Sequence, residues 1–159
     1  AHARGLLRTV ASLERAAVGT RGDLAAAVEQ PRRPPRRRGL AVVISDFLGE
    51  PDWERALRAL SGRHELLAVE VLDPRELELP DVGTVVLADP ETGRQREVVT
   101  TPLLRREFAA AAAEHRDLVA ATLRRCGAAQ LTLRTDSDWI ADVVRFALAR
   151  KRAWSGGGR

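Results

Sequence analysis

The feature that most constrains this chain is an uninterrupted apolar run, Leu40-Ala41-Val42-Val43-Ile44, which starts after Gly39 and stops at Ser45 and Asp46. A run without polar alternation is typical of a central parallel strand that is covered on both faces. The sequence therefore predicts a core strand here, with Ser45 and Asp46 at its carboxyl end.

Strand and helix patterns alternate downstream of this run. Residues 52–62 place Trp53, Ala56, Leu57 and Leu60 at helical spacing, and Glu65 to Leu72 is a second strand pattern that stops at Asp73-Pro74. Strand, helix and strand in this order predict a right-handed βαβ unit. The whole chain is predicted as a doubly wound, mostly parallel α/β fold with a β-hairpin insertion on the sheet edge. The remaining predicted elements are helices at 4–18, 24–30, 102–126 and 136–152, hairpin strands at 82–88 and 94–99, and a strand at 130–134.

The sequence also predicts which side chains of the last helix are buried and how much of a domain the chain represents. In the last helix a buried stripe is expected from Trp139, Ile140, Val143, Val144, Phe146 and Ala147. Cys126 is the only cysteine, which excludes an internal disulfide and favours a buried thiol. Because three parallel strands make a small sheet and the chain does not begin with Met, we expect residues 1–152 to be the C-terminal portion of one domain, followed by a flexible tail at 153–159.

The basic charge is a weak guide to function. Lys and Arg number 26 against 22 Asp and Glu, and the net charge is +4. Nearly every base is arginine, with Lys151 the one lysine, which suggests a GC-rich, actinobacterial genome more than a charged binding face. The tract 31–38 contains three prolines and five arginines. We expect a solvated connector there and give nucleic-acid binding a low weight, because no aromatic residue accompanies the tract.

Oxygen-bearing side chains follow the predicted strands, where ligands bind in open α/β sheets. They are Ser45 and Asp46, Asp73, and the run Thr135 to Asp138. Such donors suit Mg²⁺, Mn²⁺ or Ca²⁺ better than zinc. Asp46 is the main candidate ligand, with the alternative that it caps the next turn. Asp73, Asp136 and Asp138 are expected to cap turns or helices, and the three histidines, His2, His64 and His115, are expected to be solvated.

No nucleophile–base pair and no glycine-rich phosphate loop is recognisable. A binding function is therefore predicted over an enzymatic one. The alternative, a Mg²⁺-dependent hydrolase or phosphoryl-transfer enzyme, would use the carboxylates at the strand ends.

Several segments in order resemble domain-of-unknown-function family 58, which is similar to von Willebrand factor A domains. They are residues 37–48, Asp52-Trp53-Glu54, 64–76, 79–83, 89–93 and 133–136. The resemblance implies an adhesion-type site for a divalent cation in which Asp46, with Ser45 beside it, supplies one part. It also implies a second part near Asp23, where Gly22 replaces the threonine that family members often carry. The remaining ligands are expected upstream of Ala1.

The same resemblance implies a cytoplasmic protein-interaction module. Its expected partner is a MoxR-type AAA+ ATPase, with which the family is thought to act in protein assembly or maturation. No membrane segment is expected within the chain, because no apolar run approaches the required length of roughly 20 residues.

Overall fold

The computed structural model describes residues 24–29, 38–49, 51–88 and 95–156. Their elements are α1 (Leu24–Glu29), β1 (Leu40–Ser45), α2 (Glu54–Ser61), β2 (Glu65–Leu72), β3 (Thr84–Ala88), β4 (Gln95–Val99), α3 (Pro102–Arg125), β5 (Ala129–Arg134) and α4 (Trp139–Gly156). Short 3-10 helices at Pro51–Trp53 and Pro74–Glu76 precede α2 and follow β2. The predicted mixed α/β order is confirmed for the described residues, and the helix predicted at 4–18 lies outside them. The last helix, α4, continues past its predicted end at Arg152 to Gly156, into the segment that was predicted as a flexible tail.

Three parallel strands form the main sheet in the order β1-β2-β5. Leu40 of β1 pairs with Glu65 of β2, and Leu67 of β2 pairs with Ala129 of β5. The hairpin of β3 and β4 is confirmed, but it forms a separate two-stranded sheet among the described residues and does not extend the edge of the main sheet. Thr100 joins the two ends of the hairpin, since its amide and its hydroxyl both donate to the Gly83 carbonyl.

One face of the main sheet carries the hydrophobic core. Leu66 and Ala68 point to this face from β2, where α2 and α3 cover them. The buried cluster consists of Val28, Phe47, Trp53, Ala56, Leu57, Leu60, Leu66, Ala68, Val119, Leu123 and Cys126. Burial of Cys126 is thus confirmed, and desolvation raises the pKa of its thiol.

Helix α3 is bounded by signals that the sequence shows. Thr101 caps its start by accepting the Leu104 amide at 3.2 Å, and Pro102 occupies the first turn. Gly127 ends it with a φ of +71°, and the Ala128 amide then reaches back to the Leu123 carbonyl. None of the described helices is both long enough and apolar enough to cross a membrane.

On the opposite side of the sheet, apolar side chains of β1 and α4 that were expected to be buried are exposed. β1 is an edge strand among the described residues, and Ile44 is 66% exposed, as are Leu40 and Val42 to lesser degrees. The stripe on α4 is also open, with Trp139 56% and Ile140 58% exposed. The prediction of coverage on both sides of β1 was therefore wrong for this part of the chain. These side chains are apolar, but none of the described elements covers them.

Candidate functional site

Asp46 lies directly after β1 with its carboxylate exposed to solvent. Oδ1 accepts the Leu48 amide at 3.2 Å and the Ser45 hydroxyl at 3.4 Å. The turn-capping alternative is therefore observed. Among the described residues no hydrogen bond engages Oδ2, so capping leaves half of the carboxylate available to a ligand.

The next residue, Phe47, adopts a conformation that bulky side chains avoid. Its φ is +54°, in the left-handed region that costs a non-glycine residue roughly 1–2 kcal/mol. The ring is 1% exposed and meets Trp53 edge to face at 5.1 Å. The Ser45 hydroxyl accepts the Phe47 amide at 3.1 Å. These contacts hold the backbone that carries Asp46, and such held strain is common at functional sites.

His115 of α3 supplies the remaining contact to this turn. Its Nε2 lies 2.8 Å from the Phe47 carbonyl oxygen, and because a carbonyl only accepts, Nε2 carries the proton. The expectation of a solvated His115 was wrong, since the ring is half-buried and binds a residue 68 positions away. A sequence signal did exist. His115 continues the inward stripe of α3 at three- and four-residue spacing.

A cavity of about 370 Å³ opens beside Asp46, between the carboxyl end of β2 and the first half of α3. Its apolar wall includes Leu72, Leu77 and Phe108, and Ala112 contributes only a methyl group. The charged and polar side chains that line it are Asp46, Glu70, Arg75, Glu76, His115 and Arg116. A mostly apolar pocket with a few convergent polar groups is typical of a binding site. Sequence reasoning identified Asp46 but not the cavity.

Glu70 is the only charged residue buried among the described residues, at 1% exposure. Its Oε2 accepts Gln130 Nε2 at 2.8 Å and Thr132 Oγ1 at 3.0 Å. Arg116 lies on the other side, 3.6 Å from Oε1. The carboxylate is thus balanced by one charge and two neutral donors, as burial of a charge requires. Side chains alternate between the two faces along β2, which places Glu70 on the core face. Ser45 of β1 and Thr132 of β5 pair with it in register.

Two of the other carboxylates at strand ends have structural roles. Asp73 accepts the Arg75 amide at 2.9 Å and starts the short helix after β2, as predicted. Asp138 accepts the Ala141 amide at 3.1 Å and caps α4, also as predicted.

The expected capping role of Asp136 was wrong. The helix begins three residues later, at Trp139, and Asp136 instead forms a two-bond pair with Arg134 at 2.9 and 3.0 Å. The hydrogen bond from Arg134 lowers the pKa of Asp136.

The predicted metal ligands are not brought together by the described residues. Ser45 and Asp46 are adjacent, whereas Asp23 lies outside the described residues, as does most of the arginine tract at 31–38. No group of three or more His, Cys, Asp or Glu side chains in the described ranges is placed to hold a metal ion. The Ser45 hydroxyl is also engaged within the turn, where it donates to Asp46 and accepts the Phe47 amide. These residues alone therefore do not make a divalent-metal site.

Sequence comparison places the chain among known proteins. The family described as protein of unknown function DUF58 matches residues 1–118. The chain belongs to this family. No solved structure matches it.

The relatives differ in length. An uncharacterized protein of Mycobacterium avium is 62% identical over 147 residues, which are 92% of this chain and 87% of that protein. An uncharacterized protein of Mycobacterium tuberculosis is 59% identical over 151 residues, which are 95% of this chain but 48% of that protein. The chain thus spans about half the length of the tuberculosis relative. A Paracoccus denitrificans protein described as lying in the moxR 3′ region is 44% identical over 69 residues, 43% of this chain and 66% of that protein.

Proposed function

We propose that this DUF58 chain is a non-enzymatic protein-interaction module whose contact site is the Asp46 turn. The observation that supports it best is the exposed Asp46 carboxylate on a backbone held by Phe47, Trp53 and His115. A rigid scaffold that presents a charged group on a loop is typical of binding surfaces. The exposed apolar side chains of β1 and α4 add to this, since large apolar patches mark interaction surfaces.

A MoxR-type AAA+ ATPase is the partner that we infer, with a role in protein assembly or maturation in the cytoplasm. The support is genomic. The Paracoccus denitrificans relative is described by its position in the moxR 3′ region. Proteins encoded side by side often act together, and the family resemblance implies the same partner.

The direct test is binding of the full chain to a MoxR-type ATPase of the same organism, measured by biolayer interferometry. Asp46→Asn keeps the oxygen that accepts the Leu48 amide but removes the charge, and we expect it to weaken binding by about tenfold, equivalent to about 1.4 kcal/mol. Asp117→Asn is the matched control, because Asp117 is exposed on α3 away from the turn. Failure of the unmodified chain to bind would refute the function. Equal binding by Asp46→Asn would refute the role of the turn.

A divalent cation, Mg²⁺ or Mn²⁺, would assist this contact only if ligands outside the described residues joined Asp46. Calorimetric titration of both ions into the full chain tests this separately. Heat of binding that disappears in Asp46→Asn would support the adhesion-type site. Absence of binding would leave a metal-independent interaction module.

A further inference from the structure

The cavity beside Asp46 arises from a change of side-chain size along α3. At the carboxyl half of the helix, Val119 and Leu123 fill the space above β2 and belong to the core. About two turns before Val119 the helix lines the cavity with Ala111 and Ala112, whose side chains are single methyl groups and fill less space. The core thus stops short and leaves a cavity of about 370 Å³ whose lining includes the exposed residues Asp46 and Leu48.

The mouth of the cavity is apolar as well. Leu48 follows the Asp46 turn, lines the cavity and is 51% exposed. A side chain that enters from outside would bury the apolar surface of both the exposed leucine and the cavity. Such an anchor in a pocket is the usual centre of a protein–protein contact.

The charges around the mouth indicate what should accompany the apolar side chain. Glu70 and Arg116 face each other as an ion pair, so their opposite charges offset each other. The hydrogen bonds of Asp46 use only Oδ1, and that of Glu76 to the Asp73 amide uses only Oε2, so among the described residues each retains one oxygen without a hydrogen bond. With that pair set aside, Arg75 is the one cationic side chain that remains among the described lining residues. The mouth is therefore net acidic and complements a base.

We propose that this cavity receives a leucine-like side chain of the partner protein, with an adjacent lysine or arginine placed against Asp46 and Glu76. The inference rests on the proposed interaction function and names the chemistry of the partner segment. The volume supports one or two aliphatic side chains, being at the lower end of the roughly 300–1,000 Å³ found for ligand pockets.

The test uses three fluorescein-labelled peptides of equal length that differ only at their centre, which reads Leu-Lys-Lys, Leu-Glu-Glu or Ser-Lys-Lys. Fluorescence anisotropy is measured with the full chain and with Ala112→Phe, which fills the cavity. Ala111→Phe is a second filling variant at a more exposed position, in case the first unfolds. Ala110→Phe is the control, because Ala110 is exposed and does not line the cavity.

We expect saturable binding of the Leu-Lys-Lys peptide, weaker by about tenfold with either filling variant and unchanged with Ala110→Phe. The other two peptides should also bind about tenfold more weakly. Absence of saturable Leu-Lys-Lys binding up to about 1 mM, equal binding by the filling variants, or preference for Leu-Glu-Glu would each overturn the proposal. If the MoxR-type ATPase bound a folded Ala112→Phe chain normally, the cavity would be refuted while the interaction function stood.

Discussion

The buried carboxylate of Glu70 offers a quantitative test of how the floor of the cavity is stabilised. Among the described residues Arg116 is the one cation paired with it, at 3.6 Å; the Arg116 side chain is 30% exposed, whereas that of Glu70 is 2% exposed. Arg116→Met keeps most of the aliphatic stem and removes the charge. Gln130 and Thr132 would then remain as neutral donors to an uncompensated buried charge.

The expected loss follows from the geometry. Removing one partner of a fully buried ion pair costs about 3–5 kcal/mol, since the other charge stays desolvated. Here the Arg116 Nη1 that faces Glu70 is buried, but its distance of 3.6 Å from Oε1 exceeds a hydrogen bond, so we expect a smaller loss of about 2 kcal/mol. With a urea dependence of roughly 2 kcal/mol per molar, the unfolding midpoint should fall by about 1 M.

The assay is urea unfolding of the full chain, followed by tryptophan fluorescence. Trp53 is buried in the core, so its fluorescence changes when the core is lost. Arg106→Met, an exposed arginine on the same helix, controls for the substitution itself and should change stability by less than about 0.5 kcal/mol. The decisive comparison repeats Arg116→Met in a Glu70→Gln background, where no buried charge remains. An equal loss in both backgrounds would show that Arg116 acts through packing, and would refute the electrostatic explanation.

Three further outcomes are expected. Cys126, buried and with a raised pKa, should react slowly with a thiol reagent in the native chain and rapidly in urea; fast native labelling would contradict its burial. Ile44→Lys should cost little stability in urea unfolding, whereas Val43→Lys, which faces the core, should unfold the chain; the reverse would contradict the assigned faces. The hydrogen bond from Arg125 lowers the pKa of Glu54, so its stabilising effect is present above the ordinary carboxyl pKa and is lost as pH falls through the lowered value. Glu54→Gln should accordingly lower Tm at about pH 7 and have little effect at about pH 2.

Local patterns allowed the elements to be predicted, because their signals lie within each segment. The apolar runs at β1 and β2 and the Thr101-Pro102 start of α3 are properties of neighbouring residues. The open face of β1 shows where this reasoning stops. Periodicity identifies which side chains favour burial, but it does not say which element covers them, and Ile44 is exposed because no described element does.

The site was only partly predictable for a similar reason. Asp46 was accessible to sequence reasoning, because the end of a parallel strand is a recurrent place for ligands. The left-handed Phe47 was not, since an aromatic residue carries no local preference for that conformation. Its contacts to Trp53 and His115 come from two other parts of the chain, and nothing local encodes them.

These contacts make the position of Asp46 dependent on α3 as much as on β1. His115 of α3 hydrogen-bonds the Phe47 carbonyl. The same helix carries Ala112, which lines the cavity, and Arg116, which pairs with Glu70. A shift of α3 along the sheet would therefore change the turn, the cavity and the buried ion pair together. A partner side chain that enters the cavity would press on the helix that positions the carboxylate. Because α3 contributes to both the Asp46 turn and the cavity, we expect substitutions in either to alter binding at the other.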